Sequence, residues 1–529
     1  MSFELRDRDL LGRIGRLRTK SGMVETPAFM PVINPVLQAI PPKRMKQDFG
    51  ADIVITNSYI IRKHFGDIPD LEVHKLLDYD GVVTTDSGAY QILVYGGVEV
   101  TQEEIITFQK NIGSDIAVIL DIPTGWDVPR ETVEYTVDET LKRAELALPL
   151  IKDTDSLWVG PVQGGKHLDL VAKSAERIGK MPYQVHALGS PTEVMERYMF
   201  PVLVDMTMTA KTHLPPDRPL HLFGAGHPMM FAMAVAMGCD LFDSAAYALF
   251  AKDDRYMTNR GTSQLKDLEY FPCSCPVCRR HTAYEVKEMT KGDRRLLLTE
   301  HNLHACMTEI GTVKQAIHEG NLWALVETRA RSHPQMMSAL KTLANYTQEF
   351  EMGTPSFKGR GIFYYDYNSL PRPQIARHVK SMRQNYGQPS NRSILILFSS
   401  PPVRPFTSYP PFQKLRQELS KTKSSNNATY SFVAAPYGVV PEHLAETYPL
   451  SQYEIAEPLD HETIQSTVDN VVDYIQNTAY QSIILVSDDT SLSNHLRQTL
   501  IEEVDYVKEI HGDPWSTETT QKLTTILND

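Results

Sequence analysis

The 529-residue sequence predicts an α/β fold: a (β/α)8, or TIM, barrel carrying an inserted zinc-binding subdomain and followed by a small α/β C-terminal extension. Three observations carry that prediction. Eight short β-rich runs alternate with helical or loop stretches over about 240 residues, the size of such a barrel. Three cysteines crowd into six positions after the eighth run, and two further apolar runs follow a stretch at 353–373 rich in Gly, Pro and aromatics.

In order, the eight runs are 26–33 (TPAFMPVI), 51–57 (ADIVITN), 81–87 (GVVTTDS), 115–121 (DIAVILD), 157–163 (LWVGPVQ), 184–189 (QVHALG), 219–224 (PLHLFG) and 238–244 (GCDLFDS). Most of the stretches between them, 101–112, 131–151, 168–178, 191–212 and 228–237, have helical length and apolar spacing. Thr101 and Glu104 fit a capping box at the start of one of them. A doubly wound open sheet is the alternative arrangement of the same alternation. Past the cysteines, 296–329 reads as helix. The stretch at 353–373 reads as a domain junction, because Gly and Pro interrupt both periodicities there. Beyond it, 393–398 (SILILF) and 482–486 (SIILV) read as buried strands, 411–419 and 463–476 as helices, and 420–428 as a polar loop.

Composition narrows the class of function. A hydrophobic fraction of 42% and a charged fraction of 22% describe a globular chain. The longest apolar run, 229–239, is 11 residues, short of the ~20 that cross a bilayer. The opening MSFELRDRD carries charge of both signs and no apolar segment, so no secretory signal and a cytoplasmic location are expected. A net charge of -12 excludes nucleic-acid binding by general basicity, but not by a local patch. Residues 252–295 hold 10 Lys/Arg against 7 Asp/Glu, whereas 401–529 hold 8 against 18. Five cysteines in the whole chain are too few for a disulfide framework.

In a (β/α)8 barrel, chemistry collects where strands end and βα loops begin. Here the third run ends at Asp86, the fourth at Asp121, the fifth at Gln163, the sixth at Gly189 and the eighth at Asp243. Any one of these acids alone reads as a helix cap or loop hydrogen bond; their joint placement at one mouth points to a site. Two carboxylates suit displacement at an anomeric carbon, one attacking the carbon while the other manages the leaving group's proton. Asp121 and Gln163 offer acceptors and donors for the edge of a planar heterocycle, and Tyr90 and Phe223 could stack on its faces.

Cys273, Cys275 and Cys278 bring three soft ligands onto one turn, and His301 completes a Cys3His set. Four protein ligands leave no open position, so the zinc reads as structural and a zinc hydrolase does not fit. His304, one turn on, competes for the fourth place, and Cys306 or Cys239 would be needed for an iron–sulfur cluster.

The motifs TTDSGAYQ (84–91), DIPT (121–124), PVQGG (161–165), HALGS (186–190), GCDLFDSAAYALFAKDDRY (238–256), CxCxxC and HNL at His301 together resemble the tRNA-guanine transglycosylases, in order over roughly residues 1–350, and the archaeal, archaeosine type more than the bacterial one. The resemblance implies exchange of guanine, at position 15 in the D-arm of tRNA, for 7-cyano-7-deazaguanine. It implies Asp243 as the nucleophile that joins the ribose and Asp86 as the general acid/base. Asp121, Gln163 and the Gly189 backbone fall on the base-recognition groups, Tyr90 and Phe223 on the stacking platform, and Cys273, Cys275, Cys278 and His301 on the ligands of one structural zinc.

On that resemblance, 1–350 is the catalytic barrel with its zinc subdomain at about 252–330, 351–390 a junction, and 391–529 an α/β extension without a PUA domain. Expected partners are tRNA, the free deazaguanine base, a second copy of the chain, and a PUA domain on a separate chain. Two departures stand out: Ala89-Tyr90 where the family usually has Gly-Phe, and Ser190 where a second glycine is frequent. Exchange of another deazaguanine or at another tRNA position is the alternative within the class; a non-catalytic tRNA-binding subunit is the alternative outside it. Presence of both Asp86 and Asp243 speaks against the latter.

Overall fold

The computed structural model describes residues 2–67, 71–89, 100–386, 393–504 and 507–529. The chain divides into two compact units, 1–353 and 354–529.

The first unit is a closed barrel of eight parallel strands in sequence order: Ala28–Ile33, Ile53–Asn57, Val82–Asp86, Ile116–Val118, Leu157–Val162, Val185–Leu188, Leu220–Leu222 and Leu241–Ser244. Each lies within one of the expected runs. Closure comes from the eighth strand pairing with the first, Asp243 opposite Met30. The two-residue period of a strand decides what faces the lumen. Ile53 and Ile55, Ile116 and Val118, and Val185 and Ala187 share one internal apolar cluster, while the intervening Val54, Ala117 and the following Leu188 pack outward against the helices.

An antiparallel sheet of Phe3–Asp9, Gly12–Arg18 and Met23–Thr26 precedes the barrel and was not expected. Phe3, Leu17 and Val24 join the internal cluster with Ala28, Ile53, Val82, Ile116, Val185 and Leu241, each the first residue of its strand. The sheet therefore plugs the N-terminal mouth and leaves the C-terminal mouth for a site.

Helices follow the expectations with two differences. The capping box of Thr101 and Glu104 starts the helix Gln102–Asn111. The stretch 191–212 is two helices, Thr192–Glu196 and Phe200–His213, separated where Tyr198 adopts φ 56° and followed by Pro201 in the first turn. The stretch expected as one helix at 296–329 is Lys291–Glu319 followed by Leu322–Ala330, because Gly320 closes the first at φ 72°. The second starts with its Leu322 N–H on Asp9.

Between the eighth strand and Lys291–Glu319 lies the cysteine-bearing insertion. It comprises the hairpin Arg255–Thr258 and Gly261–Gln264 and the helices Pro276–Arg280 and Ala283–Glu288, around a small core of Tyr256, Leu265, Val286 and Leu298.

The second unit has a five-stranded sheet in the order Gly438–Pro441, Ala428–Ala434, Ile394–Ser399, Ser482–Ser487, Val507–His511, parallel except for the first. Ile396 and Phe398 belong to one apolar cluster and Leu395 and Leu397 to another, so both faces are covered. No helix among the described residues is long and apolar enough to cross a membrane.

Candidate active site and metal centre

The lumen alternation carries upward into polar residues. Counting by twos from Ile53, Val82, Val159 and Leu241 reaches Asn57, Asp86, Gln163 and Asp243 at the C-terminal mouth. There Asp86, Asp121, Gln163, Gly189, Phe223 and Asp243 line one pocket of about 1390 Å³. Tyr90 lies outside the described residues.

Asp243 is held by two donors on a single oxygen. His221 Nε2 lies 2.8 Å from its Oδ1, and the Gly224 N–H donates to the same atom at 2.9 Å. His221 is buried, edge-on to Phe223 with ring centroids 4.6 Å apart. The second oxygen of Asp243 is left for the pocket. Asp86 accepts from Asn57 Nδ2 at 3.1 Å, its register partner on the second strand. Burial pushes the Asp86 carboxyl up to about 7, and the carboxylates of Asp121 and Asp243 push the same way, against N–H donors from Gly88 and Ser87.

Asp121 and Gln163 form a buried pair, Nε2 of the amide donating to the carboxylate at 2.6 Å. Burial raises Asp121 to about 6 despite that hydrogen bond and the nearby Arg143 cation. The amide cannot turn over, because its Oε1 accepts from the Thr124 N–H at 3.1 Å and from Ser190 Oγ at 3.0 Å. Ser190 sits at φ 60°, where glycine is usual, and its hydroxyl locks Gln163. The N–H of Gly189 bonds to Val162 C=O, and a Cβ at 189 would overlap the Gln163 amide. Gly189 thus makes room for the pair.

His221, Asn57, Thr124 and the hydroxyl function of Ser190 were not singled out from sequence. His221 was legible in principle: it lies on the strand two residues before Phe223, on the same lumen side.

The ligand atoms of Cys273, Cys275, Cys278 and His301 all lie within 4.8 Å of one another, the four residues read from spacing. Zinc bonds of about 2.3 Å to sulfur and 2.0 Å to nitrogen set tetrahedral corners roughly 3.5–3.8 Å apart. The spacings between Cys275 and Cys278 sulfurs, and from each to His301 Nδ1, are 3.6, 3.5 and 3.5 Å. His301 Nε2 lies 2.9 Å from Met257 C=O, which leaves the Nδ1 lone pair for a metal, and Tyr256 stacks on the imidazole at 3.6 Å. The group fits a tetrahedral ion. His304 packs against Phe49 instead, Cys306 faces Gly226 C=O, and Cys239 is buried in the barrel core, so none of the competing ligands joins it.

Residues 8–335 match the family described as queuine tRNA-ribosyltransferase, and residues 375–527 match a domain of unknown function, DUF5591. Among curated proteins, the chain is 42% identical over 520 residues to the tRNA-guanine(15) transglycosylase of Methanosarcina barkeri, covering 98% of this chain and 99% of the relative. It is 47% identical over 396 residues to that of Aeropyrum pernix, covering 73% and 77%. It is 40% identical over 494 residues to that of Saccharolobus solfataricus, covering 92% and 96%.

Proposed function

This chain belongs to the queuine tRNA-ribosyltransferase family, and on that premise we propose that it exchanges guanine at position 15 of tRNA for 7-cyano-7-deazaguanine, in archaeosine biosynthesis, by double displacement. Asp243 attacks C1′ of the ribose with the oxygen not tied to His221 and Gly224. The glycosidic bond breaks as the carboxylate–ribose bond forms, and the electron pair leaves with guanine. Asp86 in its acid form supplies the proton that guanine takes away. The free deazaguanine then enters; Asp86, now a carboxylate, removes its ring N–H proton, the ring nitrogen attacks C1′, and Asp243 is released. Two inversions retain the configuration.

One observation supports this pairing above the rest: Asp86 and Asp243 line the same pocket, where burial first, and then the carboxylates of Asp121 and Asp243, push the Asp86 carboxyl up to about 7. A group near neutrality can give a proton in the first half and take one in the second. The Asp121 and Gln163 pair reads the edge of the base, with Phe223 against one face and Tyr90 assigned to the other.

Cys273, Cys275, Cys278 and His301 would hold one zinc ion, which cross-links the insertion and leaves no position for substrate. Catalysis and the zinc subdomain belong to 1–350 and the α/β extension to 391–529. The homodimer, a PUA domain on a separate chain and a cytoplasmic location rest on the resemblance and on the tRNA substrate. Incorporation of labelled guanine into purified tRNA, with the labelled position mapped, tests the proposal: label at position 15 is expected, and label at another position or none overturns it.

A further inference from the structure

The pocket wall is electrically divided. Asp86, Asp121 and Asp243 line it deeply, and Asp127, Glu193 and Glu196 line it from the segments after the fourth and sixth strands. Lys252, Arg255 and Arg295 line it from the segment after the eighth strand and from the helix Lys291–Glu319. The wall acids Asp127 and Glu193 have cationic partners, Lys166 at 3.9 Å and Arg197 at 3.5 Å. Among the described residues the three cations form no ion pair, in contrast to the adjacent Arg294, which is bound to Asp254. Arg295 goes further: its Nε is buried and has no hydrogen-bond partner there. A buried guanidinium N–H without an acceptor is costly, and a ligand that brings one removes the cost.

The elements that carry the two arginines are also tied to each other. The Arg255 guanidinium lies 5.1 Å from the Phe250 ring centroid. The backbone C=O of Arg255 accepts at 3.1 Å from Nδ2 of Asn302, which is fully buried on the helix that carries Arg295, donates also to Tyr247 C=O and accepts from Met257 N–H. One asparagine therefore ties both elements together.

We propose that Arg255 and Arg295, with Lys252 at the rim, form a seat for a phosphodiester of the substrate strand next to the nucleoside whose base is exchanged. The carboxylate floor repels phosphate, so a nucleotide enters base first and its phosphates stay on the cationic side. Arginine forks suit two phosphate oxygens at once. This rests on the tRNA reading above.

The test uses the full chain: wild type, Arg295→Gln, Arg255→Gln and the double variant, with tRNA binding measured against KCl concentration, KM for free guanine, zinc content and melting temperature. Each single change is expected to weaken tRNA binding several-fold and to lower the log–log salt slope in part, and the double variant to lower it by about one, the charge of one phosphodiester, with KM for guanine unchanged. Arg295→Lys should recover the slope but not all of the affinity. A folded, zinc-replete double variant with the wild-type slope overturns the seat, as does a loss confined to KM for guanine. Wild-type protein that fails to exchange guanine at all overturns the tRNA reading instead; normal wild-type exchange with an unchanged slope removes only the seat. If Arg255→Gln does not fold, Arg295→Gln decides alone.

Discussion

His221 Nε2 and the Gly224 N–H converge on Oδ1 of Asp243, at 2.8 and 2.9 Å, so one carboxylate oxygen is anchored and the other is presented to the pocket. An anchored carboxylate needs no reorganisation as it attacks, and losing a donor to a charged group costs about 1.5–3 kcal/mol. His221→Ala is therefore expected to lower kcat by roughly 10- to 100-fold with little change in tRNA affinity, and His221→Gln to restore part of it. An unchanged kcat in His221→Ala removes the anchoring role.

Asp243→Ala should abolish exchange while tRNA binding survives, and denaturing gels should show a covalent tRNA–protein species for wild type only. Turnover by this variant rules out Asp243 as the nucleophile.

Asp86 and Asp121 are carboxyls that burial raises to about 7 and 6, from an ordinary aspartate value of 3.8. The fold binds their protons more tightly than the unfolded chain does, so these sites cost least stability below about pH 4 and progressively more as pH rises through 6 and 7. Asp86→Asn should abolish exchange yet raise the melting temperature relative to wild type more at pH 8 than at pH 5. An equal offset at both pH values contradicts the raised value.

Gly189→Ala would drive a methyl group into the Gln163 amide and separate it from Asp121. Losing one buried hydrogen bond of that kind predicts roughly a 10- to 100-fold fall in kcat/KM for the free base, with zinc content and tRNA affinity intact. Competition kinetics between guanine and the deazaguanine would show the loss; wild-type base kinetics would refute it.

Cys275→Ser removes one of four ligands from a group whose fourth member, His301, also supports Met257 and stacks on Tyr256. Zinc content and melting temperature should fall together, because metal binding free energy is folding free energy at such a site. A stable, metal-free and active variant would show that the ion has no structural part.

The barrel was legible because its strands are apolar on both faces, and runs such as ADIVITN and DIAVILD stand out against any local background. The metal ligands were legible because three of the four are close neighbours in the chain, where spacing alone constrains geometry. The first sheet was not, since FELRDRD and GRIGRLR consist mostly of charged residues and glycine and bury only a few apolar side chains such as Phe3 and Leu17. The strand Ala428–Ala434 escaped for a related reason: Thr429 and Ser431 break its apolar run with polar side chains, although every position of the strand is buried.

Residue types and their order were enough to put acids at the strand ends and three sulfurs on one turn, because those features follow from periodicity and short spacing. Which atoms meet was beyond their reach. That Gln163 is locked between Thr124, Ser190 and Asp121 and that His221 holds one oxygen of Asp243 depend on side chains 22 to 42 positions apart in sequence, and that Arg295 keeps a buried Nε without an acceptor depends on the packing around it. Barrel closure sets those distances, and the loss of water on burial gives them their energy.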